Sequence, residues 1–397
     1  MKIHEFQTKQ LMRSRGLPLC RGVAIGENDP VEETIGQLGS LNFYAVKAQI
    51  HSGGRGKGVF TNGVGSGVQL ARSATAAAKI ARGMLGNYLV TRQTGEGGQI
   101  VRRVYVEEGI AVKREIYLAI LLDRSIGKLV AMASADGGVD IESAVEFGGK
   151  KIFREVIHSP SGIYPYQARR MAMAIGLQED DLREKFVDLL GKLFTFYWES
   201  DASLVEINPL AQTSDGQLVI LDGKSIHDDN GLFRQGTLRA MRDCDEEDER
   251  EVRASKYGLN YIALPGNIAC LTNGAGLAMA TMDLLHANGL EPANFLDLGD
   301  STGEDTVTEA FKILCGDIRS RCLLINVFGG AMRGDVVAKG MLRAIDGNPY
   351  PFPIVVRMEG AYAAEGLEIL KNSIPHSIAV KNMENIPRKI KNIFAKK

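Results

Sequence analysis

Three side chains, Glu206, Asn208 and Asp222, have the types and spacing to surround one metal ion. The first two lie in Glu206-Ile207-Asn208-Pro209-Leu210, and the third follows in Leu221-Asp222-Gly223-Lys224. Leu204, Val205 and Ile207, and then Leu218 to Leu221, read as strands, while Thr213-Ser214-Asp215-Gly216 between them carries turn chemistry. The segment is therefore expected to fold as a hairpin that draws the three oxygen donors toward one point. Such a set suits a hard cation, Mg²⁺, that keeps several waters. A merely solvated acidic turn is the competing reading of the same residues.

A glycine cluster, Ser52-Gly53-Gly54-Arg55-Gly56-Lys57-Gly58, follows a strand that bears Lys47. Its backbone N–H groups can fold over a triphosphate, with Lys47 and Lys57 supplying countercharge. The spacing matches neither the G-x-x-x-x-G-K-[ST] phosphate loop nor the dinucleotide fingerprint. Combined with the Glu/Asn/Asp hairpin, it makes ATP with Mg²⁺ the leading ligand.

The elements that must position these residues change character near residue 245. Before it, Phe43–Gln49, Ile100–Val106, Ile116–Asp123 and Leu129–Ala133 read as strands, the last two joined by the hairpin signal Arg124-Ser125-Ile126-Gly127. Helical patterns at His4–Arg15, Ala74–Met84 and Tyr166–Trp198 are interleaved, so this part is expected to be α+β. Asp243 to Glu251 is a charge run, expected as a solvated connection, and divides the chain into 1–245 and 246–397. Beyond it a strand, a glycine loop and a helix recur four times. The strands Asn267–Thr272, Asn294–Asp297, Cys322–Phe328 and Ile354–Met358 each meet Gly before a helix. That alternation predicts an α/β, doubly wound parallel sheet, with ligands beyond the carboxyl ends of its strands. The glycines and helix starts there suit phosphate or carboxylate, although glycine also simply fits tight β–α turns.

Composition excludes several classes. At 397 residues the chain exceeds one ordinary core, and a formal net charge of −1 gives no reason to expect nucleic acid or a membrane surface as partner. No apolar run reaches transmembrane length and the amino terminus lacks a signal-type core. Cys20, Cys244, Cys270, Cys315 and Cys322 are widely spaced without C-x-x-C, which reads as reduced thiols. The expected location is cytoplasmic, or the mitochondrial matrix in a eukaryote.

Met1-Lys2-Ile3-His4-Glu5-Phe6-Gln7, Val46-Lys47-Ala48-Gln49-Ile50-His51-Ser52-Gly53-Gly54-Arg55-Gly56-Lys57, Glu206 to Leu210, Asn273-Gly274-Ala275-Gly276-Leu277-Ala278-Met279-Ala280-Thr281-Met282-Asp283 and Phe328-Gly329-Gly330 resemble the succinyl-CoA synthetase β-subunit family. The likeness runs over essentially the whole chain. It implies an ATP-grasp domain followed by a flavodoxin-like CoA-ligase domain. By position, it implies nucleotide contacts at Lys47, Gly54, Arg55, Gly56, Glu107, Ile110 and Glu115, and Mg²⁺ ligands at Asn208 and Asp222. Glu206 would steady a phosphohistidine, and Asn273, Gly330, Ala331 and Met332 would meet the organic acid. The resemblance further implies an α subunit, in an αβ or α2β2 heteromer, that carries the phosphohistidine and the CoA site, because none of the six His stands in such a loop.

Departures from the family pattern gather around the expected acid site. Gly299-Asp300-Ser301-Thr302 replaces a glycine-rich run, Ala331-Met332 follows the paired glycines, and Ala361-Tyr362 replaces a polar pair. Malate or citrate therefore stands beside succinate as the acid. Ile110 stands where Thr is frequent. Cys20 stands where Pro or Gln is frequent, which leaves the nucleotide open between ATP and GTP, with ATP the default. A stand-alone ATP-grasp ligase and a nucleotide-binding regulatory protein are the readings from other classes. The first would not need the second domain, and the second would not need the full Glu206, Asn208 and Asp222 set.

Overall fold

The computed structural model describes residues 1–138, 152–158, 160–299, 303–329, 332–345, 352–374 and 376–395. Their contacts divide the chain into two compact units, Met1–Asp243 and Cys244–Lys397.

Among the described residues the first unit holds two larger antiparallel sheets and a small three-stranded one that pairs Val59–Phe60, Tyr88–Val90 and Gln99–Ile100. One of the larger sheets has strands β1 (Gly22–Gly26), β2 (Tyr44–Gln49), β3 (Val68–Ala71) and β4 (Arg103–Glu108) in the order β1-β4-β2-β3. Helices α2 (Val31–Gly36) and α3 (Ala74–Met84) cover it through Ile35, Ala77, Ala81 and Met84, which pack on Val46, Ala48, Val104 and Val106. The other sheet has β5 (Val112–Asp123), β6 (Lys128–Ser134), β7 (Phe153–Ile157), β8 (Ala202–Thr213), β9 (Leu218–Ile220) and β10 (Gly223–His227). Its order is β7-β6-β5-β8-β9, with β10 also paired to β8. Helices α4 (Pro165–Ala174) and α5 (Asp180–Glu199) bury Met171, Phe186, Leu190 and Leu193 against it. The long helical pattern splits in two because Gly176 takes φ +79° after α4, a left-handed conformation that ends a helix cheaply only at glycine. Helix α1 (Glu5–Arg13) adds Met12 to the same core.

Among the described residues the second unit holds one six-stranded sheet. Strands β11 (Asn260–Ala263), β12 (Ile268–Thr272), β13 (Asn294–Asp297), β14 (Cys322–Gly329), β15 (Ile354–Gly360) and β16 (Ser377–Ala379) run in the order β11-β13-β12-β14-β15-β16. All pairs are parallel except that of the edge strand β11. The five parallel strands thus have the doubly wound 2-1-3-4-5 order. Ala269, Leu271, Leu323, Ile325 and Val356 point into one core with the helices Glu304–Cys315 and Gly334–Ile345. Ile268, Cys270, Cys322, Leu324 and Val355 point into a second core with Ala275–Ala287 and Ile386–Ala395. Both faces are covered, which is why the strands read as unbroken apolar runs.

The charge run is more structured than a solvated connection. Asp243 accepts a 2.9 Å contact from His4, Asp248 caps the helix Glu249–Lys256, and Arg250 pairs with Asp317 at 2.5 Å. Charges in that run are held by partners from elsewhere in the fold, which local composition cannot reveal.

Candidate functional site

The expected hairpin forms. Strand β8 pairs antiparallel with β9 and β10, placing Glu206 opposite Lys224 and Ile207 opposite Gly223, while the Asn208 N–H donates to the Asp222 carbonyl at 3.1 Å. Glu206 and Asn208 are two apart on one strand and share a face. Against β5 the register shifts between Ile207 and Leu210, so Asn208 lies at an irregularity of the kind that re-aims a side chain. Its Oδ1 accepts from the Gly138 N–H at 2.7 Å.

Asp222 pairs with Arg55 Nη2 at 2.8 Å. Arg55 enters from the glycine loop, where Gly54 adopts φ +76° and precedes a 3₁₀ turn over Arg55–Lys57. Its Nη1 donates to the Ala48 carbonyl at 2.9 Å, which folds the loop back over the end of β2. Gly54, Gly56 and Lys57 are exposed. Of the two expected lysine countercharges, only Lys47 is drawn into the interior.

Lys47 and Glu107 are diagonal neighbours on adjacent strands, since Ala45 opposes Glu107 and Lys47 opposes Tyr105. Lys47 Nζ meets Glu107 at 2.5 Å, Glu5 at 3.0 Å and the Leu221 carbonyl at 2.5 Å. Burial alone would lower this ammonium, but Glu107, Glu5 and Asp222 outweigh it and hold its pKa above the ordinary lysine value. Arg55 behaves alike: burial opposes its charge, and Asp222 and Glu5 restore it.

Two members of this cluster escaped the sequence reading. Glu5 and Lys9, one turn apart on α1, are almost wholly buried and paired at 3.0 Å. Lys9 also reaches Glu107 at 2.7 Å and the Leu221 carbonyl at 2.5 Å, with Tyr105 beneath it at 5.3 Å. The available signal was an i,i+4 Glu/Lys pair in a helix that also buries Thr8 and Met12. Lys9, Lys47 and Arg55 thus face Glu5, Glu107 and Asp222, an electroneutral set of three cations and three carboxylates.

Glu115 is exposed on β5, and a Cβ added at Gly138 would collide with its carboxylate, so Glu115 and Asn208 approach the same glycine. Ile110 is half-buried in the short link by which the chain leaves one sheet at Glu108 for the other at Val112. Among the described residues no three His, Cys, Asp or Glu side chains converge as a metal centre. An ion here would therefore rest on Asn208 and Asp222, with phosphate and water completing its shell. Hard oxygen donors, one of them already attracting a cationic guanidinium, fit Mg²⁺.

In the second unit Asn273 directly follows β12, at the strand-order switch between β12 and β14. Its side chain is spent on structure: Nδ2 donates to the Phe328 carbonyl and Oδ1 accepts from the Phe328 N–H, both at 2.9 Å. Asp297 accepts from the N–H groups of Gly274 and Gly299 at 2.5 and 2.8 Å. Met332 is 2% exposed and packs in the core, so its side chain is not offered to an acid. Gly330 and Ala331 lie outside the described residues, as does Asp300. Tyr362 is half exposed at φ +55° and carries the Arg333 guanidinium 4.0 Å above its ring.

The ATP-grasp domain family matches residues 2–212, and the CoA-ligase family matches residues 271–385. The succinate–CoA ligase [ADP-forming] β subunit of Cereibacter sphaeroides is 44% identical over 393 residues, 98% of each chain. The protein of the same name from Anaeromyxobacter sp. is 47% identical over 390 residues, again 98% of each. The chain belongs to the succinate–CoA ligase β-subunit family. ATP citrate lyase from Methanothrix soehngenii shares the fold, with a TM-score of 0.72 over 99% of each chain at 17% identity. Like its relatives in the succinate–CoA ligase β family, the chain therefore joins an ATP-grasp unit to a CoA-ligase unit, and ATP use follows from that family.

Proposed function

We propose that this chain is the β subunit of an ADP-forming succinate–CoA ligase, working with an α subunit that supplies the phosphohistidine and the CoA site. The observation that carries the reading is the meeting of Lys47, Arg55, Glu107 and Asp222 beside Asn208, in a chain 43–48% identical to such subunits over nearly its whole length. Lys47 and Arg55 bind and orient the phosphates. Asn208 and Asp222 hold Mg²⁺, which when bound neutralises the developing charge on the phosphates. Gly54 and Gly56 lend backbone N–H groups, and Glu107, Ile110 and Glu115 line the approach between the two sheets. Glu206, on the same strand face as Asn208, receives the partner's histidine as it accepts the γ-phosphoryl group. That group passes from the histidine nitrogen to a carboxylate oxygen of succinate, and the CoA thiol then displaces phosphate to leave the thioester. The switch point at Asn273 and Gly329, continued by Gly330, Ala331 and the Met332 main chain, is the proposed acid contact. Because Met332 and the Asn273 amide are committed elsewhere, main-chain N–H groups would do the contacting.

Five cysteines without a disulfide support a reducing compartment, the cytoplasm or the mitochondrial matrix. No described helix is long and apolar enough to cross a membrane. The test is CoA-dependent ADP formation by the chain co-purified with its α subunit, over succinate, malate and citrate. Turnover on succinate above the other two is expected. A clear preference for malate or citrate would overturn the choice of acid, and no turnover with any of the three would overturn the ligase assignment.

A further inference from the structure

The two cations proposed to hold the phosphates come from different elements, a strand and a glycine loop, and one carboxylate joins them. Glu5 Oε1 accepts from Lys47 at 3.0 Å, and Glu5 Oε2 meets Arg55 at 2.9 Å. Glu107 pairs with Lys47 and Lys9, and Asp222 pairs with Arg55, whereas Glu5 meets both phosphate-holding cations. Glu5 is itself fixed. It opens α1, where the helix dipole favours an acid, and the Phe6 N–H donates to Gln49 Oε1 at 3.1 Å, tying the helix start to the end of β2.

Lys9 completes the arrangement. An ammonium has three N–H bonds, and those of Lys47 are all engaged, by Glu5, Glu107 and the Leu221 carbonyl. Turning either of the two that meet Glu5 and Glu107 to a phosphate takes a donor from a carboxylate. Lys9 touches the same Glu5, Glu107 and Leu221 carbonyl, so both carboxylates stay paired when Lys47 turns away. A buried carboxylate left without a cation is costly, which gives the second lysine a physical purpose.

From this geometry we infer that Glu5 is a positioning residue for nucleotide phosphates, holding Lys47 and Arg55 at one spacing, with Lys9 as the counter-ion that stays behind when Lys47 engages the ligand. The inference rests on the nucleotide site proposed above. It deepens that proposal by assigning work to a helix that contributes no proposed ligand contact.

The test is the double substitution Glu5→Gln with Lys9→Met in the full chain. It removes one charge of each sign and leaves the cluster neutral, so the fold is expected to survive in thermal melting. Calorimetric titration with Mg·ATP and Mg·ADP should show affinity weakened at least about tenfold. Adenosine binding, followed by NMR, should be unchanged, because only the phosphate-holding cations lose their alignment. A folded double variant that binds Mg·ATP like the wild type overturns the inference, as does equal weakening for adenosine and ATP. If the double variant does not fold, Glu5→Asp serves instead: it keeps the charge but shortens the reach, and unaltered Mg·ATP affinity there overturns the inference. Wild-type chain that binds no Mg·ATP would instead refute the nucleotide site itself.

Discussion

Replacing Asp222 with Asn separates stability from chemistry, because the residue is an ion-pair partner in this structure and a metal ligand in the proposed function. The carboxylate lies 2.8 Å from Arg55 and is 32% exposed. At an effective dielectric constant of about 20 the bare attraction at that distance is roughly 6 kcal/mol. Solvent reaches the pair and Arg55 keeps Glu5 at 2.9 Å, so the net loss of stability should be only about 1 kcal/mol. For a unit of this size that lowers the melting temperature by roughly 2–4 °C. Loss of an anionic metal ligand acts differently. A weakened metal clamp on the phosphates should raise the barrier by about 3 kcal/mol, roughly a hundredfold in rate. The assay is CoA-dependent ADP formation with the α subunit present, beside a melting curve and a Mn²⁺ titration followed by electron paramagnetic resonance. Wild-type turnover with an unchanged metal requirement would refute the ligand role. Activity that falls only in proportion to unfolded protein would reduce Asp222 to a structural ion pair.

Glu206→Gln should lower turnover about 10²-fold while leaving the Mg·ATP dissociation constant unchanged, as equilibrium titration beside steady-state kinetics would reveal. Gly138→Ala should destabilise the first unit by at least about 1–2 kcal/mol, because φ is +69° and the new Cβ meets the Glu115 carboxylate; chemical denaturation measures it. His227 is buried, and burial holds its pKa below the usual histidine value. Its contribution to stability should be full above about pH 6.5 and be lost as the pH falls below that value, where the unfolded chain takes up the proton first. Urea titrations between pH 8 and pH 5 should show this slope, and it should shrink in His227→Gln.

The architecture was legible because periodicity carries it. Apolar runs interrupted by glycine in the second half could satisfy their burial only as a parallel sheet covered on both faces, and the 2-1-3-4-5 order with helices on each side is that solution. The hairpin was legible for a similar reason, since a Thr-Ser-Asp-Gly turn between two apolar strands fixes both register and reach. Asn208 and Asp222 were thus brought together by local chain geometry alone. Local sequence could not show what those side chains do once they are there. Arg55 folds inward onto Asp222 while Lys57, two residues along, stays in solvent, a choice made by the 3₁₀ turn and the Ala48 carbonyl. Glu5 and Lys9 look like an ordinary surface pair in a helix. They became the centre of a buried charge cluster because α1 lies where residues from β2, β4 and the β9–β10 link converge, at sequence separations of 42, 98 and 212. Met332 and Asn273 mark the same limit in the second unit, one claimed by the core and the other by the Phe328 backbone. Sequence determined which groups were available and which segments would pair. Tertiary structure decided which charges left water, because the cost of burying a charge is set by partners that only folding brings together.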